Sequence, residues 1–290
     1  MSPHKSTVKK IAKHPHYFPD SFRNDYANMA YIDHYKNASI VLERRVDIES
    51  LKDTFIPKVF KERTWSKLLN PMGDVYDCII REFFANAFLE CDHINCWVRG
   101  REFTISRDLI QELLEIQLTT PDTSLHYDER KEKLEPLVQV LGGQLKKKAL
   151  HTIELSPEMR ASAYIMIFNL YPMKNLTTLS GPRTVFLHDL FTHKEIDICG
   201  QIYHLFVKCI KKRKSRLTLP FPSLVMSLIS RARVKIPSGL PVMQREEPIS
   251  EQTIIWSKAH IPGPSIDVSQ IPRDEAAEID RFTSIPEDTP

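Results

Sequence analysis

A chain of 290 residues with 42% hydrophobic and 27% charged side chains has the balance of a globular protein, which excludes a collagen-like or wholly disordered one. Its most apolar stretch, Ala163 to Tyr171, is far shorter than the roughly 20 residues of a spanning helix, and the polar Met1 to His16 lacks the apolar segment of a secretory signal. The net charge of +3 is uneven: seven acids against Arg273 and Arg281 leave residues 261–290 at −5 and residues 1–260 at +8, a balance that suits an anionic partner as well as plain solubility.

These features point to a soluble intracellular protein, nuclear or cytoplasmic, with no membrane partner. The five cysteines, Cys78, Cys91, Cys96, Cys199 and Cys209, are odd in number and scattered, so they read as free thiols or small buried hydrophobes rather than a disulfide framework.

Residues 1–39 are polar and broken by Pro3, Pro15 and Pro19, which predicts a flexible arm that docks through Tyr17, Phe18 and Phe22. Ile40 to Val46 is β-branched and predicts an edge strand or extended lead-in. After the breakers Pro71 and Gly73, Asp74 is an N-cap, and Val75, Ile79, Ile80, Phe83, Phe84, Ala87 and Phe88 form a wide apolar stripe, predicting a buried helix from Asp74 to Leu89. A hairpin follows, with Ile94, Cys96 and Val98 alternating on one strand, Gly100 in the turn, and Phe103 and Ile105 on the return. Ser106 caps the next helix, with Leu109, Ile110, Leu113 and Leu114 facing inward.

Residues 117–135 are polar and charged and read as a surface excursion between two halves. Beyond them come helices alone: one capped by Ser156 with Pro157 in its first turn, one from about Ser180 to Phe191, one from Asp197 to Lys212, and one from Pro222 to Arg231. Pro237, Pro241 and Pro248 end the regular structure, and the five prolines and many acids of residues 261–290 predict disorder. The expected fold is mainly α: a helical body over 40–250 with one small β-hairpin, a flexible arm at 1–39 and a disordered tail at 251–290.

Two ordered blocks carry a resemblance. The first is Trp65, then Ile80-Arg81-Glu82-Phe83-Phe84-Ala85-Asn86 and Trp97-Val98-Arg99-Gly100-Arg101. The second is the apolar run Val185 to Phe191, then Ile196-Asp197-Ile198-Cys199-Gly200, then Phe221-Pro222-Ser223-Leu224. In order and spacing they resemble the "putative plant transposon protein domain" over roughly residues 50–250, with Phe84 standing where a Tyr is usual. The resemblance implies an origin in mobile DNA and brings no catalytic residues with it.

Chemistry that mobile elements use is hard to place here. A two-metal nuclease needs carboxylates converging from a strand-rich core, and no acid of this chain sits in an apolar strand run. Asp53-Thr54-Phe55 and Asp122-Thr123-Ser124 miss the Asp-Thr/Ser-Gly turn of an aspartic protease, no Asp-Asp pair suits a polymerase, and Gly142-Gly143 lacks the Lys-Ser/Thr of a phosphate loop. Ser223 lacks a nucleophile-elbow pattern. Cys91, His93 and Cys96, with Cys78 as a distant fourth ligand, give a remote zinc reading, set against a buried thiol and a hairpin-edge histidine. His188, His193 and His204 read as partly buried hydrogen-bonding groups.

The basic run Lys208, Lys211, Lys212, Arg213, Lys214 and Arg216 ends a helix, where cations suit the dipole, and resembles a phosphate-binding patch or nuclear import signal. Lys146, Lys147 and Lys148 would extend it if the fold brought them near. Arg99 and Arg101 flank the hairpin Gly100, placed either to grip a phosphate or to lock onto Glu82 or Glu102. The expected function is therefore non-enzymatic, with no cofactor and no small-molecule substrate: weak, sequence-independent contact with nucleic-acid phosphates through these cations, or else binding of other proteins.

Overall fold

The computed structural model describes residues 21–117, 126–146, 149–211 and 217–259. The centre of the first half is α4 (Asp77–Asn86), on which Ile79, Ile80, Phe83, Phe84 and Ala85 are all buried. Against it lie a three-stranded antiparallel sheet of β2 (Phe88–Glu90), β3 (His93–Val98) and β4 (Arg101–Ile105), and two later helices, α9 (Ile198–Lys211) and α10 (Pro222–Arg231). Phe83 and Phe84 meet Phe206 of α9 at ring separations of 6.2 and 6.0 Å, and Phe206 meets Phe221 at 6.1 Å. These edge-on contacts are a favoured aromatic geometry and tie the two halves of the chain into one core.

The predicted hairpin is present. Val98 pairs with Arg101, leaving Arg99 and Gly100 as a two-residue turn with φ of +50° and +78°. Positive φ at both positions is the turn that matches strand twist, and glycine supplies it without strain at the second. Ser106 caps α5 (Arg107–Leu114) by accepting from Leu109 N at 3.1 Å, and Ser156 caps α7 (Pro157–Ile165) by accepting from Met159 N at 3.3 Å. The predicted helices at α8 (Gly181–Phe191), α9 and α10 are present, and α8 is buried over every residue from Thr184 to Phe191.

The fold class differs from the sequence expectation: the protein is mixed α/β, with three small sheets among the described residues rather than one hairpin. One sheet consists of β1 (Ser39–Ile40) running parallel to β8 (Thr218–Leu219); another consists of β5 (Leu145–Lys146), β6 (Ala149–His151) and β7 (Thr178–Leu179). Strands of two or three residues are too short to show alternation, and β1 and β7 find their partners far away in sequence. The helix expected from Asp74 to Leu89 is also shorter: Ala87 turns extended (ψ 138°) and Phe88–Glu90 enters the sheet.

The ends of the chain carry more structure than composition suggested. Within the expected flexible arm, α1 (Asp25–Ala30) runs into a π-helical turn, Tyr31–Tyr35, whose Tyr35 is fully buried. Just after Pro248, in the tail expected to be disordered from 251, α11 (Glu251–Ala259) is formed and packs on α7. Residues 1–20 of the arm and 260–290 of the tail lie outside the described residues. Among the described residues no helix is long and apolar enough to cross a membrane.

Buried polar side chains hold the irregular connections. Asn169, fully buried, donates from Nδ2 to the carbonyls of Arg44 and Leu68, both at 2.7 Å. Arg160 donates to the carbonyls of Thr152, Ile153, Leu155 and Ser257 at 2.8–3.1 Å. Glu43, also buried, caps α10 from 180 residues away, accepting from Ser223 N at 3.0 and 3.1 Å and from Leu224 N at 3.3 Å. Replacing Asn169 by Leu keeps the branched shape of the side chain and strands two buried carbonyls, each costing roughly 1–3 kcal/mol. Urea unfolding should show a loss of about 2–4 kcal/mol at unchanged m-value; a loss below about 1 kcal/mol would mean that water already serves those carbonyls.

Candidate functional site

The two sequence blocks meet in space at a cleft of about 300 Å³. On one wall Arg63 and Trp65 follow α2 (Ile56–Glu62); on the other lie His193 and Asp197–Cys199, with Arg107 of α5 closing the side. The Asp197 carboxylate folds back over the start of α9, its Oδ1 accepting from Gly200 N and its Oδ2 from Arg107 Nε, both at 2.8 Å. A Cβ on residue 200 would lie 2.1 Å from that carboxylate, so only glycine permits this cap. Arg63 stacks on Trp65 at 5.2 Å and donates to the carbonyls of Asp189, Leu190 and Lys194 at the end of α8. Burial pushes the Cys199 thiol up to about 12, with Asp197 adding to the shift, so it is not a thiolate nucleophile at neutral pH.

A denser set of titratable groups sits where residues 126–130 dock on α8 and α9. Asp189, buried at 1% exposure, accepts from Tyr127 Oη (3.1 Å), from Arg130 (2.7 Å) and from His188 Nδ1 (3.1 Å), and Lys194 Nζ lies 3.4 Å away. Burial alone would raise Asp189, but His188 and Arg130 outweigh it and hold the carboxyl below the usual range. Asp128 faces the other way, accepting from Tyr171 Oη at 2.9 Å and Lys208 Nζ at 2.6 Å, with His204 Nε2 at 3.4 Å. It too is held low, against burial, by His204 and Lys208. Burial pushes both tyrosine hydroxyls upward, and the neighbouring aspartates push them further. Each carboxylate is thus saturated by groups of the chain itself.

This cluster was not legible in sequence. Residues 117–135 read as a surface excursion, yet Tyr127 is buried against Phe186 at a ring separation of 4.9 Å. The faint signal was one aromatic between charges of alternating direction, His126-Tyr127-Asp128-Glu129-Arg130. Residues 118–125 lie outside the described residues.

The sequence-predicted cations are spread among several roles. Lys208 is bound to Asp128, and Lys211 is exposed at the end of α9; Lys212, Arg213, Lys214 and Arg216 lie outside the described residues, as do Lys147 and Lys148. Lys146 pairs with Glu154. Arg101 is exposed. Arg99 takes the locking role: its backbone N donates to Glu82 Oε1 at 2.8 Å and its Nε lies 2.9 Å from Oε2, with both side chains largely buried. Glu102 pairs instead with Arg23 at 2.7 Å. Cys96 is buried with Ile94 and Val98, across the strand from His93, and Cys91 is exposed in the β2–β3 turn. Among the described residues no group of three or more His, Cys, Asp or Glu could hold a metal ion.

A second surface feature has a different character. A groove of about 1050 Å³ runs between α2, the short α3 (Ser66–Leu69) and the end of α5. Its floor is apolar, with Val46, Phe60, Leu69, Met72 and Leu114, and Met72 is 74% exposed. Around the rim Arg45, Lys61 and Lys67 alternate with Asp47, Glu49 and Glu115. Sequence reading missed it, because its wall residues come from four separate segments.

Burial raises the Glu82 carboxyl from 4.5 to about 7, against the pull of Arg99. Between those values the folded state keeps a proton that the unfolded state has released, so Glu82 favours folding at low pH and loses that contribution as pH rises through the window. Measured against Glu82→Gln, the unfolding free energy of the wild type should fall between pH 5 and pH 8, on the order of 2 kcal/mol. A constant difference across that range would place the ionised Glu82–Arg99 pair in the fold throughout.

A family profile described as "Putative plant retrotransposon-related domain" matches residues 61–235. No curated protein and no solved structure matches the chain.

Proposed function

The chain belongs to the plant retrotransposon-related domain family, and we propose that this transposon-derived protein works by binding another protein, with the groove between α2, α3 and α5 as its working surface. The observation that carries this reading is the contrast between the two sites. In the Asp128–Asp189 cluster every carboxylate is held by residues of the chain, which leaves neither of them placed as an acid or base for a substrate. The groove instead offers an apolar floor with exposed Met72.

Its rim selects the kind of partner. Three cations face three carboxylates, so a polyanionic backbone would meet as many repelling as attracting charges. A peptide segment with spaced apolar residues and both signs of charge matches floor and rim together. The pliable Met72 side chain suits such a surface.

Nucleic-acid contact is the second reading. It is favoured by one feature: α9 ends on exposed Lys211, immediately before Lys212, Arg213, Lys214 and Arg216. With Lys208 and Arg99 already paired, the described share of that interface is Lys211 and Arg101.

Two assays on the full chain separate the readings. Selection from a displayed library of random 15-residue peptides should enrich segments with apolar residues at helical or alternating spacing. Met72→Asp, an exposed change worth less than about 0.5 kcal/mol in stability, should weaken them by about ten-fold or more. Duplex DNA titrated across a salt series should show little dependence of affinity on salt. A slope of about −0.9 per phosphate contact, flattened by neutralising Lys211, Lys212, Arg213 and Lys214, would favour the nucleic-acid reading instead. Peptides indifferent to Met72→Asp would remove the groove from the account.

A further inference from the structure

We propose that the stacked imidazoles of His126 and His204 form an acid-sensitive latch, which holds residues 126–130 against α8 and α9 near neutral pH and lets them go when His126 is protonated. The rings lie 4.0 Å apart, tilted by 28°. His204 Nε2 faces Asp128 Oδ2 at 3.4 Å, and the same oxygen takes Lys208 Nζ at 2.6 Å. A proton on His126 faces the His204 ring across the stack, and Lys208 has already balanced the nearest negative charge.

The groups around the stack come from three directions. Asp128 and Glu129 belong to the segment itself, Asp197 lies just before α9, and His204 and Lys208 stand on α9. Tyr171, after α7, holds the other oxygen of Asp128 while Arg183 stacks on its ring at 4.3 Å. Burial and His204 lower His126 below the ordinary histidine value, more strongly than Glu129, Asp197 and Asp128 raise it. The docked segment therefore takes up that proton less readily than the released one. Docking weakens as pH falls through the ordinary histidine range, about 6.5. Asp128 stays ionised through this window, and its own loss comes only below about pH 4, in the ordinary carboxylate range.

Release has a defined consequence. It withdraws Tyr127 from Phe186 and removes both Tyr127 and Arg130 from the buried Asp189, opening an aromatic face with a carboxylate at its centre. The latch is independent of the groove and of any partner found there.

Hydrogen exchange on the full chain, read on peptides spanning residues 126–133 and corrected for the intrinsic pH dependence, tests the latch. Protection in the wild type should fall by several-fold or more between pH 7.5 and pH 5. His126→Phe, which keeps a stacking ring and takes no proton, should hold its protection within about two-fold over the same range. Equal protection of the wild type at both pH values overturns the proposal, as does a His126→Phe chain that loses protection in parallel with it. If His126→Phe and His126→Gln are both undocked at pH 7.5, nuclear magnetic resonance titration of the wild-type histidines decides. Two separated steps for His126 and His204 support the latch, and coincident, independent titration overturns it.

Discussion

Backbone carbonyls left over by short helices and irregular connections must be satisfied in the interior, and guanidinium and carboxamide groups do most of that work here. Arg160 gathers four carbonyls and Arg63 three; Arg81 closes the π-helical turn by reaching Tyr35 O and Ala38 O; Arg183 reaches Tyr171 O and Pro172 O. Asn86 and Asn169 do the same with amide groups. A guanidinium suits this task because it offers five donors in a fixed plane and stays charged when buried. An unpaired buried carbonyl costs more than any one of these bonds contributes, so the arrangement is decided by what its absence would cost.

That constraint changes the meaning of the charge balance. Counted in sequence, residues 1–260 carry +8. Several cations of the described residues are committed inside the fold, Arg63, Arg160 and Arg183 to carbonyls and Arg99, Lys208 and Arg130 to Glu82, Asp128 and Asp189, so a count of cations does not locate a basic face. The same economy explains the sequence blocks. Trp65 supports Arg63, Gly200 makes room for the Asp197 cap, and the turn at Phe221-Pro222 presents the Ser223 and Leu224 amides to Glu43. Each of these residues has an architectural task.

Legibility followed the range of the interaction. Features fixed within a few residues were read correctly: the Arg99-Gly100 turn, the Ser106 and Ser156 caps, and the helices Gly181–Phe191 and Pro222–Arg231. Features fixed by distant partners were not. The pair Ser39–Ile40 with Thr218–Leu219 has no local period to detect, and the polarity of residues 126–130 reads as solvent exposure until Asp189 and Tyr171 are known to face them. The role of Arg99 lay between the two, since its lock to Glu82 was one of two readings that spacing alone left open. Lys208 shows the limit most clearly, because a cation in a basic run looks free until the aspartate opposite it is placed.

Several of the longest-range ties join the region before residue 61 to the region after residue 217. Glu43 caps α10, β1 pairs in parallel with β8, and Val46 bridges Ile249. At a synthesis rate of about 5–20 residues per second, Ser39 waits on the order of 10–35 s before Thr218 is made. During that interval the early segment has no native strand partner, and Glu43 has no helix to cap. Parallel pairing across such a separation is slow to close even once both strands exist, because loop entropy is lost before contacts repay it. The newborn chain is thus open to mispairing and to capture by chaperones for most of its synthesis, and it becomes a closed body only when its last helices arrive.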